Sequence, residues 1–167
     1  MQEFSDAIEK LEDDHDKVEA LFERIKEATE KEKLDLGLEV ANLVKIHMLL
    51  EEEFLYPALR GRGHDDKLTE GLVEHDAGKV LINDLLSPAT DRDAFPAKVQ
   101  VLGEQMTHHH KEEEESDGVF SMAREAGIDL AAMLNQMTAR ERELKTELKS
   151  SDLPEAEMNY VEISASQ

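Results

Sequence analysis

The chain has 167 residues, enough to bury a continuous core without staples. It is 40% apolar but only 4% aromatic, and rich in Leu, Ala, Glu, Lys and Met, the usage of long helices rather than sheets. The absence of cysteine excludes disulfides, thiolate metal sites and iron–sulfur clusters, and a net charge of −21 argues against nucleic acid and anionic membrane as partners.

Apolar residues at alternating three- and four-residue steps mark four long helical stretches. The first carries Phe4, Ile8, Leu11, His15, Val18, Phe22 and Ile25 on one face. The second carries Leu36, Val40, Leu43, His47, Leu50 and Phe54, and is expected to end at Pro57 before the loop Arg60-Gly61-Arg62-Gly63. The third carries Leu68, Leu72, His75, Lys79, Ile82 and Leu86 and stops before Pro88. The fourth is expected to open on Asp91 or Asp93 as N-cap, with Pro96 in its first turn. It continues through Val99, Leu102, Met106, the run His108-His109-His110, Glu113, Asp117 and Phe120 to Gly127. A shorter fifth helix with Leu130, Leu134, Met137, Leu144 and Leu148 inward completes a domain over residues 1–148, and 149–167 read as a polar tail. Short connections make neighbouring helices antiparallel, so the fold class is all-α, an up-down-up-down four-helix bundle with a short fifth helix and a C-terminal tail. No apolar run approaches the roughly 20 residues that span a bilayer. The N-terminal MQEFSDAIEK lacks the basic start and apolar stretch of a signal peptide, so a cytoplasmic protein is expected.

His15, His47 and His75 each occupy an apolar seam near the midpoint of its helix, and the midpoint of the fourth helix falls in His108-His109-His110. Antiparallel helices of similar length align their midpoints, which puts at least four imidazoles in one slice of the core. Each unsatisfied buried polar group costs about 1–3 kcal/mol. A shared metal ion removes that cost by turning lone pairs into bonds. Glu51, four residues after His47, and Glu114, four residues after His110, add a carboxylate one turn beyond an imidazole on two helices. Two carboxylates can bridge a pair of cations that imidazoles cap at either end, and an all-nitrogen-and-oxygen donor set suits iron or manganese.

These residues resemble the hemerythrin family and its bacterial HHE cation-binding relatives over residues 5 to about 148. The matching segments are Asp14-His15 with Val18, Leu21 and Phe22; His47-Met48-Leu49-Leu50-Glu51-Glu52 with Leu55-Tyr56-Pro57; Glu74-His75 with Lys79, Leu81 and Ile82; and His109-His110 through Glu114-Glu115 to Val119-Phe120. The resemblance implies two iron ions, oxo- or hydroxo-bridged when oxidised, with His15, His47, His75 and His110 as ligands and Glu51 and Glu114 as bridges. It implies a small diatomic or peroxide ligand and a sensing, scavenging or redox role. The alternatives are an iron-responsive storage or binding module, or an enzyme that metabolises peroxide or nitric oxide. Two departures stand out. Lys79 occupies the seam position where oxygen carriers have a further histidine, leaving water, Glu74 or the Lys79 amine to fill the place. Lys79 is also a candidate proton donor, a partner for a carboxylate, or a side chain that reaches out to solvent. The fourth helix is one residue longer between histidine and aromatic residue than the second. A kink near Ser116-Asp117-Gly118 would absorb this, leaving Glu113 or Glu115 as substitutes for Glu114 and His109 for His110; His64 and His108 are expected to face solvent.

Overall fold

A computed structural model describes residues 3–164, and among these all regular structure is helical. Helix α1 spans Ala7–Glu27, capped by Asp6, whose carboxylate accepts the N–H groups of Ile8 (2.8 Å) and Glu9 (3.0 Å). A two-residue link leads into α2, Glu30–Leu50, opened by a capping box between Thr29 and Glu32. The same rod runs on through a π-helical turn, Glu51–Leu55, into the short α3, Tyr56–Leu59. Helix α4 covers Asp65–Leu86, α5 Phe95–Glu114, α6 Val119–Glu125 and α7 Leu130–Ser150.

Cross-helix contacts run in opposite order along neighbouring elements. Phe22 packs at Gly103 and His15 meets Glu114, so α1 and α5 are antiparallel. Gly78 packs against Met48 and Met106, while Gly71 packs against Tyr56 and His75 meets His109, which sets α4 antiparallel to both α2 and α5. At 21 residues, α7 is as long as α1.

Several boundaries depart from those expected. Pro57 does not end the second rod: it sits in the first turn of α3, where a missing N–H is tolerated. Neither Asp91 nor Asp93 is the N-cap of α5. Ala94 holds that position, and Asp91 Oδ1 accepts from the N–H of Asp93 (2.9 Å) and Ala94 (3.3 Å) in the preceding turn. The stretch expected to run unbroken to Gly127 divides at residues 115–118, where Gly118 passes so close to the carbonyls of Glu112 and Glu113 that an added Cβ would lie 2.4 Å from each. Gly127 takes the positive φ of 69° that ends α6.

The core is divided in two. One cluster gathers Ile8, Leu11, Leu50, Leu55, Leu68, Phe120 and Met137; the other gathers Val18, Phe22, Val40, Met48, Ile82, Leu102 and Met106. Between them each of α1, α2, α4 and α5 contributes histidine, so a layer of buried polar side chains crosses the bundle at mid-height.

Candidate metal centre

His15, His47, Glu51, His75, His109, His110 and Glu113 are all buried in this layer. Their donor atoms fall into two overlapping groups, His15, His47, Glu51 and Glu113 in one and Glu51, His75, His109 and Glu113 in the other; His110 joins His15 and His47. The imidazoles meet in pairs, His15 Nε2 to His47 Nε2 at 3.0 Å and His75 Nε2 to His109 Nε2 at 3.0 Å. Each carboxylate divides its oxygens between the pairs. Glu51 Oε1 lies 3.0 Å from His47 Nε2 while Oε2 lies 3.1 Å from His75 Nε2. Glu113 Oε2 lies 3.3 Å from His15 Nε2 and Oε1 lies 3.1 Å from His109 Nε2.

Two donors each about 2.1 Å from one ion and at right angles to one another would be about 3.0 Å apart, so these separations suit donors that share a cation. Both oxygens of Glu51, Oε2 of Glu113 and Nδ1 of His110 lack any hydrogen-bond partner among the described residues. Four orphaned acceptor or ring atoms in a dry interior would be costly without a cation to receive them. The donor set therefore fits a metal pair.

The outer nitrogens carry the complementary pattern. His15 Nδ1 meets Glu114 (2.6 Å), His47 Nδ1 meets Asp14 (3.3 Å), His75 Nδ1 meets Glu52 (2.9 Å) and His109 Nδ1 meets Glu74 (2.5 Å). A carboxylate on Nδ1 holds the proton there, so that Nε2, aimed inward, is the nitrogen left for a cation, the orientation a metal-binding histidine needs.

Residues 6–123 match the hemerythrin HHE cation-binding domain, well over half of the chain. The chain belongs to that family. Comparison with curated proteins and with solved structures finds no match.

Five of the residues singled out in the sequence, His15, His47, Glu51, His75 and His110, lie in these buried clusters. Glu114 does not. Its side chain is 41% exposed and serves His15 from outside, and Glu113, 3% exposed, takes the inward place. The reason is helical phase: Glu113 lies seven residues beyond Met106 on the buried seam of α5, while Glu114 lies one step further round. His109 and His110 both face inward, so the choice between them does not arise; His108 faces out at 67% exposure. Glu74 and Asp14 reach across to His109 and His47 rather than serving the histidines beside them in sequence.

Besides Asp14, two residues were not assigned a place at the centre from sequence. Tyr56 is turned inward by the π-helical turn, which buries Leu55 and Tyr56 where the regular stripe would bury Phe54. Its hydroxyl donates to Glu113 Oε1 at 2.6 Å, and Gly71 leaves room for it, since a Cβ there would sit 2.5 Å from that oxygen. Glu52 is the second. It holds His75 and also accepts from the Lys79 amine at 2.9 Å, so buried Lys79 turns to this carboxylate rather than to solvent.

Electrostatics in the ion-free chain follow from this packing. Burial pulls the pKa of His47 down, but the Glu51 and Asp14 carboxylates overcome it and raise it to about 10. Against the same burial, Glu113 and Glu74 raise His109 well above its ordinary value. His110 is pushed strongly down by burial and by the neighbouring His15 and His47, and stays neutral. Burial and the charges of Glu113 and Glu51 raise Tyr56, which keeps its proton. A cation entering at pH 7 must displace the extra protons of His47 and His109. Titration of the metal-free protein with Zn2+ in weak buffer should therefore release about two protons per chain or more, measured by pH-stat. Uptake without proton release would contradict this electrostatic picture.

Proposed function

We propose that the protein binds two iron ions and that a small oxidant or gas, dioxygen, peroxide or nitric oxide, acts at the His75–His109 side. The observation that carries the reading is the pair of facing imidazole couples, 3.0 Å apart in each, joined by one oxygen from each end of Glu51 and Glu113. Thiolates are absent, and mixed imidazole and carboxylate donors suit iron or manganese. Bound ferrous iron would supply electrons to an oxidant or an open position for a diatomic ligand.

The two halves are unequal. His15 and His47 have His110 as a third imidazole, while His75 and His109 have none among the described residues, and Lys79, one turn beyond His75, turns to Glu52 instead. The poorer half is the one with room for an exogenous ligand. A small cavity of ≈ 20 Å³ adjoins it and opens to solvent, with Tyr56, His109 and Glu113 at its inner wall and Lys67, Glu70 and Glu112 at its mouth. That space takes one water-sized molecule and no organic substrate. Tyr56 Oη holds a proton at its inner wall, donated to Glu113.

Ferrous reconstitution followed by air should give two irons per chain and ferric charge-transfer absorption in the near ultraviolet that azide perturbs. A colourless protein with less than one iron per chain would end the proposal. Sustained loss of peroxide or nitric oxide above the free-iron rate would make it an enzyme, whereas stoichiometric uptake would favour sensing.

A further inference from the structure

We propose that residues 152–161 form a strap that sets the His75 ring, and through it the His75–His109 metal position, by way of Glu52. The inference rests on the two-metal reading and goes beyond it in giving the C-terminal segment a role.

The segment has no regular structure, yet it is held at several points along its length. Leu153 is buried in the core cluster of Leu50, Leu55 and Met137. Asn83 and Ala156 exchange a pair of hydrogen bonds, the Asn83 amide donating to the Ala156 carbonyl (3.0 Å) and accepting from its N–H (2.9 Å). The Lys79 amine donates to the Glu157 carbonyl at 2.7 Å. Asp76 then receives three consecutive backbone N–H groups, from Asn159 (2.7 Å), Tyr160 (2.7 Å) and Val161 (2.9 Å), and the Asn159 side-chain amide at 3.2 Å. Asp76, Lys79 and Asn83 lie at three- and four-residue steps on one stripe of α4, so the strap runs antiparallel along that helix.

Asp76 is fully buried and follows His75 directly, a costly place for a carboxylate unless donors meet it. The strap supplies those donors, and a run of backbone N–H groups closing on one carboxylate is a built anion clamp. Once clamped, Asn159 also reaches the metal layer: its amide donates to Glu52 Oε1 at 3.0 Å. Glu52 thus accepts from Asn159, Lys79 and His75 Nδ1, and the first two are themselves fixed by the strap. Among the described residues, Asp14, Glu74 and Glu114, which hold His47, His109 and His15, make no hydrogen bond to the segment. The coupling is therefore one-sided. Asp76, Lys79 and Asn159 are positioning residues for one half of the centre.

The test uses the full chain loaded anaerobically with Fe2+, and reads its release to a coloured ferrous chelator. Wild type should lose its two ions in two phases. Asn159→Ala, which removes a surface amide, and Asp76→Asn, which weakens the clamp, should each speed one phase by about tenfold or more and leave the other unchanged. Two unchanged phases, or two phases accelerated alike, would overturn the proposal. A wild type holding fewer than two ions would instead sink the two-metal reading. The histidine ring resonances of the metal-free protein then decide the strap alone. Asn159→Ala should shift His75 and spare His15 and His47, and an unmoved His75 would overturn it.

Discussion

Glu113→Gln should reduce two-ion binding by more than about a hundredfold, and Glu114→Gln should weaken it by about tenfold at most. The two residues are neighbours with the same side chain, so the contrast isolates position. Glu113 is the carboxylate whose oxygens face His15 on one side and His109 on the other. A neutral amide of the same shape cannot offer an anionic oxygen to each of two cations. It would also remove the charge that, against burial, raises the pKa of His15 and His109 in the ion-free chain. Glu114 touches only the outer nitrogen of His15, and water can replace it because its side chain is 41% exposed. Such outer partners tune a ligand without making the bond, and their loss commonly costs ten- to a hundredfold; exposure places Glu114 at the low end. Iron counted by elemental analysis after desalting gives the result directly, with circular dichroism confirming that both variants fold. Equal iron loss in the two variants, or loss only in Glu114→Gln, would reverse the assignment.

The position of Glu113 shows what the sequence could and could not say. The seam of α5 passes through Val99, Leu102 and Met106, and seven residues on from Met106 is Glu113. Carrying the apolar stripe forward would have selected it. Repeating the His47-to-Glu51 spacing from His110 selects Glu114 instead, because that template takes a single histidine per helix, whereas α5 turns both His109 and His110 inward. The histidine layer itself was legible from midpoints and periodicity alone, since antiparallel helices of similar length bring those positions to one height. The π-helical turn was not. Nothing in Glu51-Glu52-Glu53-Phe54-Leu55 distinguishes it from ordinary helix, and one added residue per turn is enough to carry Tyr56 into the core and Glu52 against His75. Nor could spacing reveal that Asp14 serves His47 and Glu74 serves His109, because these are contacts between helices.

Lys79 also gains its meaning from tertiary structure. In the sequence it looks like a lost ligand. In the fold its ammonium neutralises Glu52 and grips the Glu157 carbonyl, so the same substitution that removes a donor from the His75–His109 half attaches that half to the C-terminal segment. The third imidazole is found instead on the opposite half, as His110. A symmetric centre would have no preferred side for an incoming molecule. This one concentrates protein donors at His15, His47 and His110 and leaves the small cavity beside Tyr56 at the other end.

Removing the metal should lower the melting temperature substantially, and by more at high pH than at low. A single ion at a thousandfold excess over its Kd adds about 4 kcal/mol, and in a chain of this size each kcal/mol moves Tm by about 2–4 °C, so the loss is about 8–16 °C for one ion. The pH dependence comes from the imidazoles. In the stripped protein His47 has its pKa raised to about 10, above the ordinary 6.5. A raised folded-state value means that its contribution to stability is complete below about 6.5 and disappears as pH rises through about 10. His109 is displaced in the same direction. Protonated, these rings partly take the place of the cation by neutralising Glu51 and Glu113. As pH rises the protons leave, and the buried carboxylates lose their partners. The metal-bound protein has already given up those protons, and its affinity rises with pH because fewer must be displaced. Paired melting curves with and without chelator at pH 6, 7.5 and 9 should show the gap widening steadily. A gap that narrows with pH would mean that the imidazoles are neutral in the stripped protein, and a melt indifferent to chelator would mean that no cation supports the layer.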